Sequence, residues 1–368
     1  MISKKNFGET KRICLVIPSL QAGGMERVMS ELAGYFSKIN NIETHLIMYG
    51  RKPEIFYQIP ENIIIHKPSF VFNNKYRFFY TIKTLLYLRK EIKKICPDTI
   101  LSFGEYWNSF VLLALIGLKF PVFISDRWRP DKIPRFPHNI LRKILYTRAD
   151  GIIVQTHIAF EIYRKLLPHA NIRVIANPIR NILPGKPEDK ENIILSAGRL
   201  IETKHFDRLI HIFLKLNAPG WKLIIAGGDA VKQKNYEKLY KLIFVLKAQD
   251  RILLPGYMNN MDSLYQKSRI FAFTSSSEGF PNVIGEALAA GLPVISYDCI
   301  AGPSEMIEDR VNGFLVPVFD DDTFLQKLQL LIDDANLRDK MSIEAVKSIL
   351  KFNIERIGKE YLNYIFHN

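Results

Sequence analysis

A chain of 368 residues with 48% hydrophobic composition is longer than one ordinary core requires and can bury two. Its net charge of +14 is unevenly divided: residues 1–180 carry 28 Lys and Arg against 13 Asp and Glu, and residues 181–368 carry 23 against 24. The longest apolar stretch, 110–118, is far short of the ~20 residues of a membrane span, and the N-terminus lacks the apolar segment of a secretory signal.

Strand-like apolar runs at 13–18, 44–48, 62–66, 99–103, 122–125, 151–154 and 173–175 alternate with helical patterns, and the alternation resumes at 193–197, 222–226, 252–254, 270–273, 294–296 and 313–316. Such alternation predicts α/β architecture, two Rossmann-like doubly wound domains whose parallel sheets carry helices on both faces. The first domain spans 1–176. A Pro-rich, charged stretch at 177–192 reads as a linker, 193–350 as the second domain, and 351–368 as a terminal helix.

After the first strand, Gly23 and Gly24 form a turn that opens a helix with Glu26 and Arg27. This is not G-x-G-x-x-G, and Glu43 precedes the second strand instead of ending it, so a nicotinamide site is disfavoured. Residues 75–94 form a basic, aromatic-rich helix on which Lys83, Lys90 and Lys94 fall within about 40° of one another. That face suits anionic headgroups or a pyrophosphate, or is simply solvated. Asn108 follows the strand at 99–103 and Arg127 the strand at 122–125, so both are expected at the ligand edge of the sheet.

In the second half, Gly198, Arg199 and Lys204 follow the strand at 193–197 and precede an amphipathic helix with Phe206, Leu209, Ile210 and Phe213. Two cations at a strand end suit a di-anionic ligand or are plain surface charges. Beyond the strand at 270–273, residues 275–279 form a turn, Pro281 a first helical position, and Gly291 to Pro293 a stop. Glu278 lies on that turn and Glu286 inside the helix, where they either complement the helix dipole or accept hydrogen bonds from sugar hydroxyls, with amides from Gly279 to Val283 open to an anion. Asp320 to Asp322 fit a helix start better than a metal site. Cys14, Cys96 and Cys299, odd in number and beside apolar segments, read as buried thiols of a reducing compartment. No His or Cys cluster has zinc spacing, and no nucleic-acid module is present.

Glu278 and Glu286, with Gly279, Phe280, Pro281 and Asn282 between them, resemble the glutamate-x7-glutamate signature of the retaining family 4 glycosyltransferases, which have the GT-B fold of two such domains facing a cleft. The G-R-L-x-x-x-K run holding Arg199 and Lys204, and the G-G-x-E-R turn, stand in that family's order. The resemblance implies that Glu278 faces the donor sugar, Glu286 binds the ribose, and Arg199 and Lys204 hold the diphosphate. It puts Gly279, Phe280, Pro281, Asn282, Val283, Gly23 and Gly24 around the donor, and Glu26, Asn108, Arg127, Lys83, Lys90 and Lys94 at the acceptor. The resemblance implies a nucleotide sugar, uridine-linked, as a substrate and not a cofactor; no cofactor or metal is expected, nor a general base, since the departing phosphate assists the acceptor hydroxyl.

Bacterial transferases that extend undecaprenyl-diphosphate-linked glycans with N-acetylhexosamine share the turn, the basic helix and a strand reading like LSF followed by an Asn. The implied partners are a nucleotide sugar, a lipid-linked glycan acceptor and an anionic membrane surface, without nucleic acid. The implied place is the cytoplasmic face of the inner leaflet, as a peripheral protein. The same resemblance expects the terminal helix to pack back on the first domain. Two other readings stand beside it: an enzyme like the UDP-N-acetylglucosamine 2-epimerase, and a non-catalytic basic membrane-surface protein.

Overall fold

The computed structural model describes residues 10–51, 54–230, 233–258 and 260–366. The chain forms two compact units, residues 1–178 with 354–368, and residues 179–353.

The first unit runs β1 (Lys11–Ile17), α1 (Gly24–Phe36), β2 (Ile42–Met48), β3 (Ile64–His66), α2 (Arg77–Ile95), β4 (Thr99–Phe103), α3 (Glu105–Ala114), β5 (Val122–Ser125), α4 (His138–Leu145), β6 (Gly151–Val154), α5 (His157–Leu166) and β7 (Ile172–Val174). All strand pairs are parallel, in the order β3-β2-β1-β4-β5-β6-β7. The central strands are buried on both faces, which is why 13–17 and 99–103 read as continuous apolar runs and not as alternating ones. One face is filled by α2 to α5 through residues such as Leu88, Val111, Leu145 and Tyr163.

The second unit runs β8 (Ile193–Ala197), α6 (Phe206–Lys215), β9 (Lys222–Ala226), α7 (Asn235–Val245), β10 (Ile252–Gly256), α8 (Met261–Lys267), β11 (Ile270–Phe273), α9 (Asn282–Ala289), β12 (Val294–Tyr297), α10 (Pro303–Met306), β13 (Gly313–Val316), α11 (Asp321–Asp333) and α12 (Ala335–Ile349). Its sheet has the order β10-β9-β8-β11-β12-β13, again parallel. Leu209, Ile210 and Phe213 of α6 are fully buried, each worth about 1.5–3 kcal/mol relative to exposure. The last helix, α13 (Ile354–Phe366), belongs to the first unit, where with α1 it fills the other face of that sheet through Tyr361 and Tyr364.

Two expectations need correction. Residues 179–192 are not a free connector: Ile179 donates to Phe352 O at 2.8 Å, Ile182 is buried and Arg180 is ion-paired within the second unit. Cys96 is exposed at the C-cap of α2, in the left-handed region at φ +48, whereas Cys14 in the first unit and Cys299 in the second are buried.

In both sheets strand order reverses beside the first strand of the unit, at β1/β4 and at β8/β11. The carboxyl ends of strands flanking such a reversal open a crevice, because the connections leave in opposite directions.

Candidate active site

In the second unit that crevice is bounded by the loops after β8 and β11. Gly198 has φ +149, and the Lys204 side chain folds over it. The loop after β9 lies so close that a Cβ on Gly227, at φ +152, would overlap the Gly198 carbonyl oxygen. Gly198 N–H to Ala226 O at 3.0 Å and Leu200 N–H to Gly228 O at 2.9 Å fix this approach.

The loop after β11 is laced to residues 203–205. Ser276 N–H and Ser275 Oγ donate to Thr203 O at 2.9 and 3.1 Å, Thr274 Oγ1 donates to Lys204 O at 2.8 Å, and His205 Nε2 meets Ser276 Oγ at 2.7 Å. The lacing brings Lys204 Nζ to 2.6 Å from Glu278 Oε1, with the side chains only 11% and 14% exposed. Lys204 Nζ also lies 4.6 Å from the centre of the Phe273 ring. A charge-assisted pair so sheltered from water holds both groups in fixed places, and a competing anion or hydroxyl must engage them together. Arg199, one residue beyond Gly198, is exposed.

Glu286 is 5% exposed on α9. Tyr265 OH donates to its Oε2 at 3.0 Å, and Arg180 Nε lies 3.7 Å from its Oε1. The Arg180 guanidinium forks onto Asp262 at 2.8 and 3.4 Å. The phenol and the guanidinium fix the orientation of the Glu286 carboxylate. Arg180, Tyr265 and Asp262 carry no local signal: their partners are remote in sequence and Arg180 lies in the expected linker.

The turn between the glutamates is less open than expected. Helix α9 begins at Asn282, with Pro281 as the flanking residue. Phe280 is buried edge-on against Phe352 at 5.9 Å, and Pro281 is covered by Gly302, so neither side chain faces a ligand. The Asn282 N–H is bonded to Phe280 O at 3.0 Å; Gly279, Asn282 and Val283 are partly exposed.

At the edge of the first unit, Tyr57 braces the glycine turn: its hydroxyl accepts from Gly23 N–H at 3.0 Å and donates to Gly23 O at 2.8 Å. Gly24 opens α1, and the Glu26 carboxylate folds over Gly23 so closely that a Cβ there would displace it. Asn108 turns inward. It is fully buried, accepting from Ser102 Oγ at 2.9 Å and donating to Ser125 O at 3.0 Å and Asp126 Oδ1 at 2.8 Å.

Asp126 also accepts from Tyr146 at 2.6 Å and from Tyr163. Burial pushes its carboxyl up, against those bonds. Burial, then the Asp126 charge, pushes the neighbouring Glu105 carboxyl up to about 7.

Arg127 likewise turns inward, 3.7 Å from the Phe103 ring centre, bonding Tyr361 OH at 2.6 Å and Asn177. Lys83, Lys90 and Lys94 are exposed on α2 as expected; Lys83 Nζ lies 4.4 Å from the Phe70 ring centre and Lys94 lies 3.8 Å from Glu91. Among the described residues no group of three or more His, Cys, Asp or Glu is arranged to hold a metal ion, and no helix is long and apolar enough to cross a membrane.

Comparison with known proteins bears on the family and the fold. Residues 22–180 match the model of Glycosyltransferase Family 4 and residues 180–348 that of glycosyl transferases group 1. A Campylobacter jejuni N-acetylgalactosamine-N,N'-diacetylbacillosaminyl-diphospho-undecaprenol 4-alpha-N-acetylgalactosaminyltransferase is 29% identical over 96% of this chain and 99% of its own. A second Campylobacter jejuni enzyme, an alpha-1,4-N-acetyl-D-galactosaminyltransferase named for a longer undecaprenol-diphosphate-linked glycan, is 27% identical over 96% and 98%. Among solved structures, a sucrose-phosphate synthase from Thermosynechococcus elongatus superposes with a TM-score of 0.81 at 15% identity, covering 96% of this chain and 98% of its own, a likeness of fold. With two family models together matching residues 22–348 and paired-domain enzymes as its neighbours, the chain belongs to the family 4 glycosyltransferases of the GT-B fold.

Proposed function

We propose that this glycosyltransferase moves a hexose or N-acetylhexosamine, with retention of configuration, from a uridine diphosphate sugar to a lipid-linked oligosaccharide in bacterial surface glycan assembly. It works without a divalent ion, as a peripheral protein on the cytoplasmic face of the membrane. The observation that carries the donor half is the sheltered Lys204–Glu278 pair at the strand reversal of the second unit. When the donor enters, its diphosphate takes Lys204 and the exposed Arg199, and Glu278 is released to the sugar hydroxyls. As the glycosidic bond breaks, negative charge grows on the departing diphosphate, and the two cations stabilise it in place of a metal. Glu286, oriented by Tyr265 and Arg180, takes the ribose diol.

The acceptor half is supported by the two relatives, which are named for undecaprenol-diphosphate-linked glycans and are matched over nearly their whole length. The lysine stripe on α2 supplies the positive charge that an acceptor diphosphate needs.

The test is transfer from a panel of nucleotide sugars to a polyprenyl-diphosphate glycan, in EDTA, with the anomeric configuration of the product read by NMR. The expected result is an alpha product from an alpha-linked uridine diphosphate donor. An inverted product, a requirement for divalent ion, or preference for another base overturns the corresponding part.

A further inference from the structure

Among the described residues, six other than glycine take positive φ: Asn41, Cys96, His205, Lys247, Arg310 and Phe319. Two of these, His205 at φ +49 and Phe319 at φ +71, meet each other, their rings edge-on with centroids 4.9 Å apart. L-residues enter this backbone region at a steric cost that glycine avoids, and such outliers persist only where their surroundings hold them there. His205 ends the turn Glu202–Lys204 and begins α6, so its backbone decides where the Lys204 side chain leaves the chain.

A side-chain clamp between α6 and α11 holds it. Arg208 Nη1 lies 2.5 Å from Asp321 Oδ2, and Tyr297 OH donates to Asp321 Oδ1. The Arg208 guanidinium carbon lies 4.7 Å from the Phe319 ring centre, and Phe319 packs edge-on against Tyr297. The His205 ring rests on this assembly and reaches with Nε2 to Ser276 Oγ at 2.7 Å, two residues before Glu278. Burial pushes the imidazole below the ordinary histidine value, so at neutral pH it has no charge to offer a diphosphate, and its contribution is the bond it makes. The other ties between the two loops, from Thr274 Oγ1, Ser275 Oγ and Ser276 N–H, end on backbone carbonyls of residues 203–205.

We propose that His205 is a positioning residue of the transfer reaction: through Ser276 it keeps the Lys204 and Glu278 loops in register when the donor takes the place of their ion pair. This rests on the reading of Lys204 and Glu278 as donor-binding groups. The ion pair can hold the charged ends together only until a ligand separates them. The His205–Ser276 bond uses neither charge and so remains when the pair opens. Misplacing a reacting group by about 1 Å can cost on the order of a hundredfold in rate, so the loss of such a tie is felt in turnover.

The test sets stability against turnover in the whole chain, with UDP-glucose, UDP-galactose and their N-acetylamino counterparts as donors and a polyprenyl-diphosphate glycan as acceptor. His205→Gly relieves the backbone and removes the imidazole, so kcat should fall about tenfold while the thermal midpoint stays within about 3 °C of the parent's. His205→Gln returns an amide nitrogen near the place of Nε2 on a backbone that suits it less well. It should recover kcat to within about threefold of the parent at a lower thermal midpoint than His205→Gly. A purely structural role would instead move midpoint and turnover together. Placed in Glu278→Ala, His205→Gly should cost less than about threefold further, because the group it helps to place is gone.

Parental kcat in His205→Gly, equal loss in His205→Gln, or a full tenfold loss in the Glu278→Ala background overturns the positioning role, and a parent that transfers leaves the functional reading standing. A parent that transfers from none of these donors sinks that reading and the role that rests on it.

Discussion

The two units share a sheet topology and put polar residues to opposite uses at its ligand edge. In the second, Lys204 meets Glu278 across two loops at the strand ends, both side chains partly exposed, while Arg180 joins Asp262 of α8 and the buried Glu286 of α9. In the first, Asn108, Asp126, Tyr146 and Tyr163 turn inward and satisfy one another, and Arg127 locks onto α13. A charge paired near the surface can be exchanged for a ligand's charge. A fully buried, mutually bonded group cannot, because its release exposes unsatisfied partners. The difference teaches that side chains at the same position after a strand pair across loops in one unit and close on one another in the core of the other.

Substituting the most exchangeable group gives the largest expected effect. Glu278→Ala should lower turnover by about a hundredfold or more, roughly 3 kcal/mol of transition-state stabilisation, while inhibition by UDP changes little. Steady-state kinetics with product inhibition measure both, and near-parental turnover would reduce the pair to a structural ion pair. Gly227→Ala comes next. A side chain there collides with Gly198 in a backbone region that L-residues avoid, so denaturant unfolding should show a loss of about 3 kcal/mol. Parental stability would mean that the two loops are not held together as described.

In the first unit, Asn108→Ala should cost ~2 kcal/mol of stability by leaving Asp126 short of a donor, with the acceptor KM of the folded fraction unchanged. A raised KM at full stability would return Asn108 to the acceptor site.

The smallest effect concerns Glu105. Its folded-state pKa, about 7, lies above the ordinary 4.5, so the folded chain binds the extra proton between those values. Stability should therefore fall as pH rises from about 4.5 to 7 and level off above. Glu105→Gln should flatten that slope in a pH series of thermal melts, and an unchanged slope would assign it to other groups.

These contrasts also mark how far the sequence was legible. Strands buried on both faces announce themselves as apolar runs, so 99–103, 122–125, 193–197 and 270–273 are strands with the bounds read from the sequence. Glu278 and Lys204 carry a motif, and motif residues stay near strand ends where loops are short. Position after a strand does not reveal which way a side chain turns: packing against Phe352, Gly302, Asp126 and Tyr361 decides that for Phe280, Pro281, Asn108 and Arg127. Arg180 and Tyr265 were invisible for the complementary reason, since only folding brings them to Glu286.

The central claim, that the strand reversal of the second unit holds a nucleotide diphosphate through Arg199 and Lys204, is tested most directly by isothermal titration of UDP into the parent, Arg199→Ala and Lys204→Ala, each with EDTA. Each substitution should weaken binding by about 2 kcal/mol or more, roughly thirtyfold, with EDTA making no difference. Equal affinity in all three proteins, or binding that EDTA abolishes, would contradict it.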